Sequence, residues 1–359
     1  MHKLTNKYLD IIIMRKIKVV CLPPTSEKNP YQFLMIKGLK KSKSLEIING
    51  FSSRYLGILL SAFVYRPNFI HFDWINKYYL KKYSLTTAMT IPWFILQILF
   101  IKKILKIKVV CTLHNIYPHD SKHHVLNKIT QSFFLNQCNW IRVFSKSTIG
   151  SVTKIHKINP KKIFSLPEGS YVKYYKNKMN KEDARKILNL KNEKILLYLG
   201  TIKPYKGILK LIKDFDAIDC KNIKLIIAGK VVNKNYLMKI NNSIKNKNSI
   251  ILIDKFIDPD DLQIYFNASD AVVLPFENIE NSGSAILAMG FKKTIIAPKI
   301  GVLPKRLVNQ KDFLYTDNLK NMLIKTVNTE CKELEEIGIK NFIELKKYKW
   351  TNFSKYFLN

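Results

Sequence analysis

The sequence predicts an α/β protein with two domains, each a parallel β-sheet that helices cover on both faces. The chain has 359 residues, more than one core usually serves. Short runs that are apolar throughout alternate with helical patterns, which is typical of strands buried on both faces. Hydrophobic residues make up 47% of the chain, enough for two cores, and a polar stretch at 167–180 separates the halves as a linker.

The first half contains six predicted strands. The apolar runs place them at 17–22, 45–48, 69–72, 108–113, 140–144 and 163–166. Helical patterns cover 92–105 and 125–136, and Ser145 is placed to cap a third helix. Because a natural first strand starts near residue 14, residues 1–13 are expected to be an N-terminal extension and residues 14–166 the first domain.

The second half repeats this alternation. Predicted strands lie at 195–199, 224–228, 250–253, 271–274 and 294–297. Helical patterns cover 259–267 and 330–348.

The composition is strongly basic. Lys and Arg number 61 against 26 acidic residues, a formal charge of +35. Such a surplus favours polyanionic partners: nucleic acid, an anionic membrane face or phosphorylated substrates. Only six of the basic residues are arginine, which argues against nucleic acid because its readers use arginine heavily. The five cysteines are scattered without a CxxC pair, which indicates a reducing compartment and no disulfide frame or zinc site.

One segment admits two interpretations. The apolar stretch 90–101 is predicted to be too short to cross a bilayer. Over 91–108 apolar residues are interspersed with lysines, so this segment is either a basic amphipathic helix on an anionic membrane or a core helix with a solvated edge.

Two segments of the second half predict a phosphate site. The loop 200–207 follows a strand, opens a helix and contributes Lys203 and Lys206. About 75 residues later, 282–284 (Ser-Gly-Ser) opens another helix. Because a helix N-terminus offers unbonded N–H groups and a positive dipole end, a basic loop and a helix start together suit a diphosphate.

Polar residues of the first half follow predicted strands at the edge where ligands bind in open α/β sheets. Asp73 follows one strand, His114 follows another, and His119 and Asp120 lie just beyond. His119 and His123 are spaced for a metal, but no Cys or Glu completes a zinc set, so no metal site is predicted.

Taken in order, the motifs resemble the GT-B glycosyltransferases of group 1, a family-4-like set, of the type found in bacterial capsule, exopolysaccharide and lipopolysaccharide biosynthesis. The motifs that carry the resemblance are 29–31, 71–74, 112–120, 200–207, 267–276, 282–285, 296–298, 301–304 and 348–353.

This resemblance implies two Rossmann-like domains facing across a cleft. The first, 14–166, would bind the acceptor, the second, 181–335, the nucleotide sugar, and a C-terminal helix at 336–359 would cross back to the first. It implies transfer of a hexose-type sugar from a UDP- or GDP-sugar to a lipid-linked glycan, without metal or cofactor, in the cytoplasm at the inner membrane.

The resemblance also assigns roles to residues. The implied donor-binding residues are Lys203, Lys206, His114, Glu277, Asn281, Ser282, Gly283 and Ser284. An inverting transfer needs one general base, for which Asp120 and His119 rank ahead of Asp73.

Two departures from the family bear on this assignment. Thr201 stands where relatives carry an arginine, and Lys203 replaces its charge without the bidentate geometry. Ile279 and Leu287 stand where retaining members carry two glutamates, so both stereochemical outcomes stay open. The Ser-Gly form of the block at 282–284 resembles that of some inverting polysaccharide transferases, which favours inversion. The alternatives are a GT-B nucleotide-sugar epimerase and a basic nucleic-acid-binding protein.

Overall fold

A computed structural model of the protein describes residues 16–26, 29–116, 123–218, 220, 222–245 and 247–358. The chain forms two compact units. The first comprises Met1–Glu168 with Lys349–Asn359, and the second comprises Gly169–Tyr348. The extension expected at 1–13 lies outside the described residues.

The first unit is built on a six-stranded parallel sheet in the order β2-β1-β3-β4-β5-β6. Its strands are β1 Ile17–Leu22, β2 Leu45–Asn49, β3 Phe69–Phe72, β4 Lys108–Thr112, β5 Trp140–Val143 and β6 Ile163–Ser165. Apolar clusters cover both faces of this sheet, as the unbroken apolar runs predict.

Helices lie between these strands. They are α1 Pro30–Leu39, α2 Gly57–Tyr65, α3 Asn76–Tyr79, α4 Ser84–Leu99, α5 His124–Gln137 and α6 Lys146–His156. Short helical turns occupy Phe100–Ile104 and Pro160–Lys162. The predicted cap at Ser145 is confirmed, since its side chain accepts a hydrogen bond from the Ser147 N–H at the start of α6.

Helix α4 differs from its prediction. It begins at Ser84 rather than at residue 92, passes through Pro92, and continues through a π-helical turn to Ile104. One face of the helix, with Phe94 and Ile98, is buried, and this packing holds the helix together across the proline.

The prediction that this segment is too short to cross a bilayer was therefore wrong. The helix Ser84–Ile104 has 21 residues and is long and apolar enough, by length and composition, to cross a membrane. Only 28% of its most apolar 18-residue window is buried in the protein.

The second unit repeats the architecture with the order β12-β11-β10-β7-β8-β9, all parallel. Its strands are β7 Lys194–Leu199, β8 Ile223–Ala228, β9 Ile250–Ile253, β10 Ala271–Val273, β11 Thr294–Pro298 and β12 Leu314–Tyr315. The edge strand β12 was not predicted, because two residues are too few to show a pattern in the sequence.

Its helices surround this sheet. They are α7 Lys181–Ile187, α8 Ile208–Asp216, α9 Lys234–Ile244, α10 Leu262–Ala268, α11 Gly283–Gly290, α12 Leu303–Arg306, α13 Leu319–Asn328 and α14 Cys331–Leu345, with short 3-10 turns at Pro204–Lys206 and Val308–Phe313. Helix α14 belongs wholly to the second unit, so the chain returns to the first unit at residue 349 rather than 336.

The C-terminal segment completes the first unit. It consists of the 3-10 turn Trp350–Ser354 and helix α15 Lys355–Leu358. Phe353 and Phe357, each 1% exposed, lie in the same apolar cluster as Val19 of β1. Gly38 of α1 permits this packing, because a Cβ there would lie 2.4 Å from Cβ of Trp350.

Candidate active site

The basic loop of the second unit packs against the end of strand β10. Gly207 has φ +72°, and a Cβ at this position would lie 2.0 Å from the carbonyl oxygen of Pro275. Only glycine fits such a position. Two residues earlier, the Tyr205 carbonyl accepts a hydrogen bond from the Glu277 N–H at 3.2 Å. The loop 200–207 and residues 275–277 are therefore held together.

The same loop also meets the start of α11. A Cβ built on Gly200 would lie 3.5 Å from the Ser284 hydroxyl, so this hydroxyl lies beside the first residue of the loop. Gly229 packs on the other side, where a Cβ would lie 1.9 Å from the Gly200 carbonyl oxygen. The two segments are 75 residues apart in the sequence, and the fold makes them neighbours as predicted.

Ser282 and Asn281 form the turn before α11. The Ser282 hydroxyl accepts a hydrogen bond from the Ala285 N–H at 3.1 Å, so it caps the helix. A residue that sequence reasoning missed holds this turn in place. Arg306, 1% exposed, donates from Nη1 to Asn281 Oδ1 at 3.3 Å and to the Ser282 carbonyl at 3.4 Å. Gly283, the first residue of α11, places no side chain at the helix start.

Lys206 is a partly buried cation. Its Nζ lies 4.2 Å from the centroid of the Phe276 ring and 5.2 Å from that of Tyr205. None of the ion pairs found among the described residues includes Lys206. Burial, with the nearby charge of Lys203, lowers the pKa of Lys206 to about 8. A cation in this setting, beside a helix start, is suited to bind an anionic ligand.

Lys203 and Glu277 lie at the edges of this group. Lys203 is partly exposed, with Nζ 6.0 Å from the Tyr205 ring centroid. The Glu277 side chain is exposed. All the donor-binding residues predicted for the second unit are thus clustered around the loop 200–207 and the start of α11.

The first unit brings two predicted residues into direct contact. Asp73 follows β3 and His114 follows β4, two paired parallel strands, and His114 Nε2 lies 3.1 Å from Asp73 Oδ1. The Trp74 ring stacks on the His114 imidazole with centroids 4.3 Å apart, and Tyr31 meets the same ring edge-on at 4.9 Å. The imidazole of His114 is therefore fixed in orientation, beside a pocket that Gln131 also lines.

Asp73 has no exposed side-chain surface. Tyr31 Oη donates to Asp73 Oδ1 and Gln32 Nε2 donates to Oδ2, each at 3.1 Å. Burial alone would raise the pKa of Asp73, but neighbouring histidines and the hydrogen bonds from His114 and Gln32 outweigh it and lower that pKa. Because burial lowers the pKa of His71 to about 4, His71 is neutral near pH 7, and the hydrogen bonds are the main stabilisers of ionised Asp73.

A second buried arginine, which sequence reasoning also missed, supports the hydrogen bonds around Asp73. Arg142 Nη1 donates to Tyr31 Oη at 3.0 Å, while Nε and Nη2 donate to the carbonyls of Leu166 and Pro167, each at 3.1 Å. The contacts run from Arg142 through Tyr31 and Asp73 to His114. The signal in the sequence was a charged residue in the middle of an otherwise apolar strand.

Two predicted residues cannot be placed. His119 and Asp120 lie outside the described residues. Within the described ranges, no group of three His, Cys, Asp or Glu side chains is close enough to hold a metal ion. The expectation that no metal is required stays a prediction.

Similar solved structures identify the fold. Sucrose-phosphate synthase from Thermosynechococcus elongatus has a TM-score of 0.71 at 14% identity and covers 95% of this chain and 97% of that one. Anabaena HepE in complex with UDP-glucose has a TM-score of 0.70 at 13% identity and covers 95% and 98%. At such identities the likeness shows the fold, which is GT-B, as predicted.

The sequence comparisons match part of the chain to a family. Residues 180–336 match the family model described as glycosyl transferases group 1. The lipopolysaccharide 1,2-N-acetylglucosaminetransferase of Salmonella typhimurium is 26% identical over 208 residues, 54% of either chain. The GDP-mannose:glycolipid 4-beta-D-mannosyltransferase of Xanthomonas campestris is 22% identical over 190 residues, 53% of this chain and 50% of that one. The chain thus matches about half the length of these curated relatives, and its residues 180–336 match the group-1 glycosyltransferase family.

Proposed function

We propose that the protein transfers a hexose-type sugar from a nucleotide-diphosphate sugar to a hydroxyl of a growing, lipid-linked bacterial glycan. The names of its relatives refer to lipopolysaccharide and to a glycolipid as the molecules acted upon. A structural neighbour is named as a complex with UDP-glucose. These names support a nucleotide-sugar donor and an acceptor of this class for the present chain.

The position of Lys206 carries the proposal. It is a partly buried cation on the loop that also meets Ser284 at the start of α11. When the glycosidic bond breaks, the departing nucleotide diphosphate gains negative charge. Lys206 and the N–H groups of α11 would stabilise that charge, and such electrostatic stabilisation is usually the largest catalytic contribution. Because the protein supplies this positive charge itself, we propose that transfer needs no metal.

In the first unit we assign different roles to His114 and Asp73. His114 is oriented by Asp73 and Trp74 and is proposed to contact the donor sugar or phosphate. Asp73 is fully buried among three hydrogen-bond donors, which favours a positioning role over proton removal from an acceptor. Asp120 and His119 remain the proposed general bases.

We further propose that transfer inverts the anomeric configuration. Ile279 and Leu287 occupy the positions of the two glutamates that the retaining relatives carry, and apolar side chains cannot supply carboxylate chemistry. Analysis of the anomeric configuration of the product by NMR tests this directly. A product with the configuration of the donor would refute it.

The proposed substrates also suggest a location. Nucleotide sugars are cytoplasmic and lipid-linked acceptors are held in a membrane. We therefore propose that the protein works on the cytoplasmic face of the inner membrane.

Thermal-shift titration tests the donor site. Wild-type protein is titrated with UDP, GDP, CMP and the corresponding nucleotide sugars, alongside Lys206→Ala and the control Lys213→Ala, which changes an exposed lysine of α8. A ligand that binds only the native state raises the melting temperature. We expect one nucleotide class to shift wild type and the control but not Lys206→Ala. If well-folded wild type responds to no nucleotide, the donor-site proposal fails.

Two alternative functions make different predictions. An epimerase would convert its nucleotide sugar without any acceptor. A nucleic-acid-binding protein would show salt-sensitive DNA binding that nucleotides do not displace. The structure argues against the latter, because Arg142 and Arg306 are buried and Arg185 pairs with Asp270 at 2.8 Å.

A further inference from the structure

Most of the exposed large hydrophobic side chains of the described residues lie in one part of the first unit. Thirteen of the 21 large hydrophobic side chains exposed among the described residues lie between residues 55 and 129. We name them the apolar patch: Tyr55, Leu56, Leu60, Phe63, Val64, Tyr83, Leu85, Met89, Trp93, Leu96, Ile104, Val125 and Ile129. Large contiguous patches of this kind mark sites of interaction with proteins or membranes.

The centre of the patch is one face of α4. Leu85, Met89, Trp93 and Leu96 follow one another at intervals of three or four residues and therefore share a face of the helix. Leu85 and Met89 are 73% and 71% exposed. The opposite face of α4 is packed into the core of the unit.

The neighbouring elements extend this face into one surface. Trp93 Nε1 donates a hydrogen bond to the Tyr55 carbonyl at 2.7 Å, which joins α4 to the residues before α2. The rings of Phe63 in α2 and Phe100 lie 5.7 Å apart. These contacts make α4, α2 and the residues before α2 neighbours, so their exposed side chains lie on adjoining elements.

The surroundings of the patch are basic. In the described ranges 51–116 and 123–137 the sole acidic residue is Asp73, which is buried. Exposed cations flank the apolar side chains: Arg54, Lys82, Lys103, Lys106 and Lys128. Lys81 Nζ also lies 4.2 Å from the Tyr55 ring centroid.

The first unit as a whole is also positively charged. The first unit carries 29 basic and six acidic residues, a formal charge of +23. The second unit carries 32 basic and 20 acidic residues, a formal charge of +12. An apolar face with a basic border, and with no exposed acid in the described ranges 51–116 and 123–137, favours an anionic, apolar partner.

We infer that the apolar patch rests on the surface of an anionic lipid bilayer. The apolar side chains enter the boundary between headgroups and acyl chains, and the lysines bind anionic headgroups while their stems pack on the apolar surface. The helix lies on the bilayer rather than crossing it, because Phe94, Ile98 and Ile101 on its other face are buried in the core. This inference concerns lipid binding and does not depend on sugar transfer.

The charge also distinguishes a bilayer from a second copy of the chain. Two copies joined through the patch would bring two strongly basic surfaces together, which charge repulsion opposes. An anionic bilayer neutralises the same surfaces. The observations therefore favour lipid over self-association.

Vesicle flotation of the full chain tests the inference. The vesicles contain phosphatidylcholine alone, or equal parts of phosphatidylcholine and phosphatidylglycerol. The test variant is Leu85→Ser with Met89→Ser in the patch, and the matched control is Ile339→Ser with Ile343→Ser, an exposed pair at the same spacing on α14. All four side chains are exposed, so both variants are expected to fold.

We expect wild type and the control to float with the anionic vesicles and only weakly with neutral ones. The patch variant is expected to lose about tenfold or more in apparent affinity, because two apolar side chains no longer enter the bilayer. Changing Lys82 and Lys103 to Gln is expected to weaken binding to anionic vesicles, whereas Lys332 and Lys340 to Gln, on α14, leaves it unchanged.

Three results would overturn the inference. They are an absence of flotation with anionic vesicles, equal flotation of the patch variant and its control, and resistance to alkaline carbonate extraction, which would indicate a spanning helix. A lipid-free dimer that the patch variant abolishes would instead identify a second copy as the occupant. Nucleotide thermal shifts on the same variants report on the donor site. The donor-site proposal and the lipid-binding proposal can therefore fail independently of each other.

Discussion

Lys206 shows how the setting of one side chain can link stability, pH and ligand binding. Burial and the charge of Lys203 lower its pKa to about 8. Without ligand, the unfolded chain holds more protons than the folded chain between about pH 8 and the ordinary lysine pKa of about 10.4. Folding stability from this group therefore rises with pH through that window, whereas binding of a phosphate requires the protonated amine.

The pH dependence of nucleotide affinity follows. We expect the affinity of wild type to fall as pH rises through about 8, as Lys206 loses its proton. Lys206→Arg keeps its charge and should hold its affinity to higher pH. Isothermal titration calorimetry with the nucleotide found by thermal shift measures both. Identical pH profiles for the two proteins would contradict this role of Lys206.

His71 makes a contribution of the same sign to folding stability, but in a more acidic pH window. Burial lowers its pKa to about 4, so the folded protein holds it neutral while the unfolded chain takes up a proton near pH 6.5. Stability from this group is therefore present above about pH 6.5 and is lost as pH falls towards about 4.

Urea unfolding measured from neutral to acidic pH checks this prediction. We expect His71→Gln to reduce the loss of unfolding free energy between about pH 6.5 and 4. His124→Gln, a change at an exposed histidine, should leave the wild-type profile intact. If His71→Gln and wild type lose the same unfolding free energy as the pH falls, His71 is not the group whose protonation causes the loss.

Among the elements, the turn before α8 is the most constrained part of the candidate site. Gly207 combines φ +72° with a close approach to the Pro275 carbonyl. We expect Gly207→Ala to cost about 1–3 kcal/mol of unfolding free energy and to weaken nucleotide binding, because the loop must move away from β10. Chemical denaturation and thermal shift measure the two effects.

A matched glycine provides the control. Gly150 lies in α6 and is exposed, and a Cβ added there would meet no heavy atom within 4 Å. Gly150→Ala should stabilise the protein by up to about 1 kcal/mol, since alanine favours a helix interior. Equal effects of the two substitutions would show that the constraint at Gly207 has been misjudged.

The elements also show how far the sequence predicts this structure. Strands β1, β3 and β9 match their predicted bounds because continuous apolar runs mark a strand buried on both faces. The predicted start of α4 was too late, because proline is common in the first turn of a helix and Pro92 was interpreted as that start. In the structure the helix continues through Pro92 because its buried face packs against the core.

The candidate site was predicted in part. Lys206 and Ser284 were found because their local pattern, a strand followed by a basic loop or a small-residue helix start, has a chemical meaning by itself. Arg142 and Arg306 were missed because their roles depend on which elements become neighbours. The orientation of His114 by Asp73 likewise requires the strand order, which places β3 beside β4.

At the scale of the whole molecule, the two units depend differently on the end of the chain. Phe353 and Phe357 are buried in the first unit. We expect Phe353→Ala to destabilise that unit by about 3–5 kcal/mol through the cavity it leaves. Leu358→Ala, at a residue 43% exposed, should have little effect.

Hydrogen exchange resolved along the chain measures this difference. Faster exchange in β1 and β3 of Phe353→Ala, with β7 and β8 unchanged, is the expected result. Uniformly faster exchange in both sheets would show that the two units unfold as one.

The return of the last residues to the first sheet also has a consequence for synthesis. During translation the second sheet can form as soon as residue 348 has left the ribosome, but the first still lacks two of its buried phenylalanines. The half of the protein that is made first is therefore the half completed last. Until Phe353 and Phe357 have emerged, the nascent first half exposes the apolar surface that these two side chains cover in the folded protein.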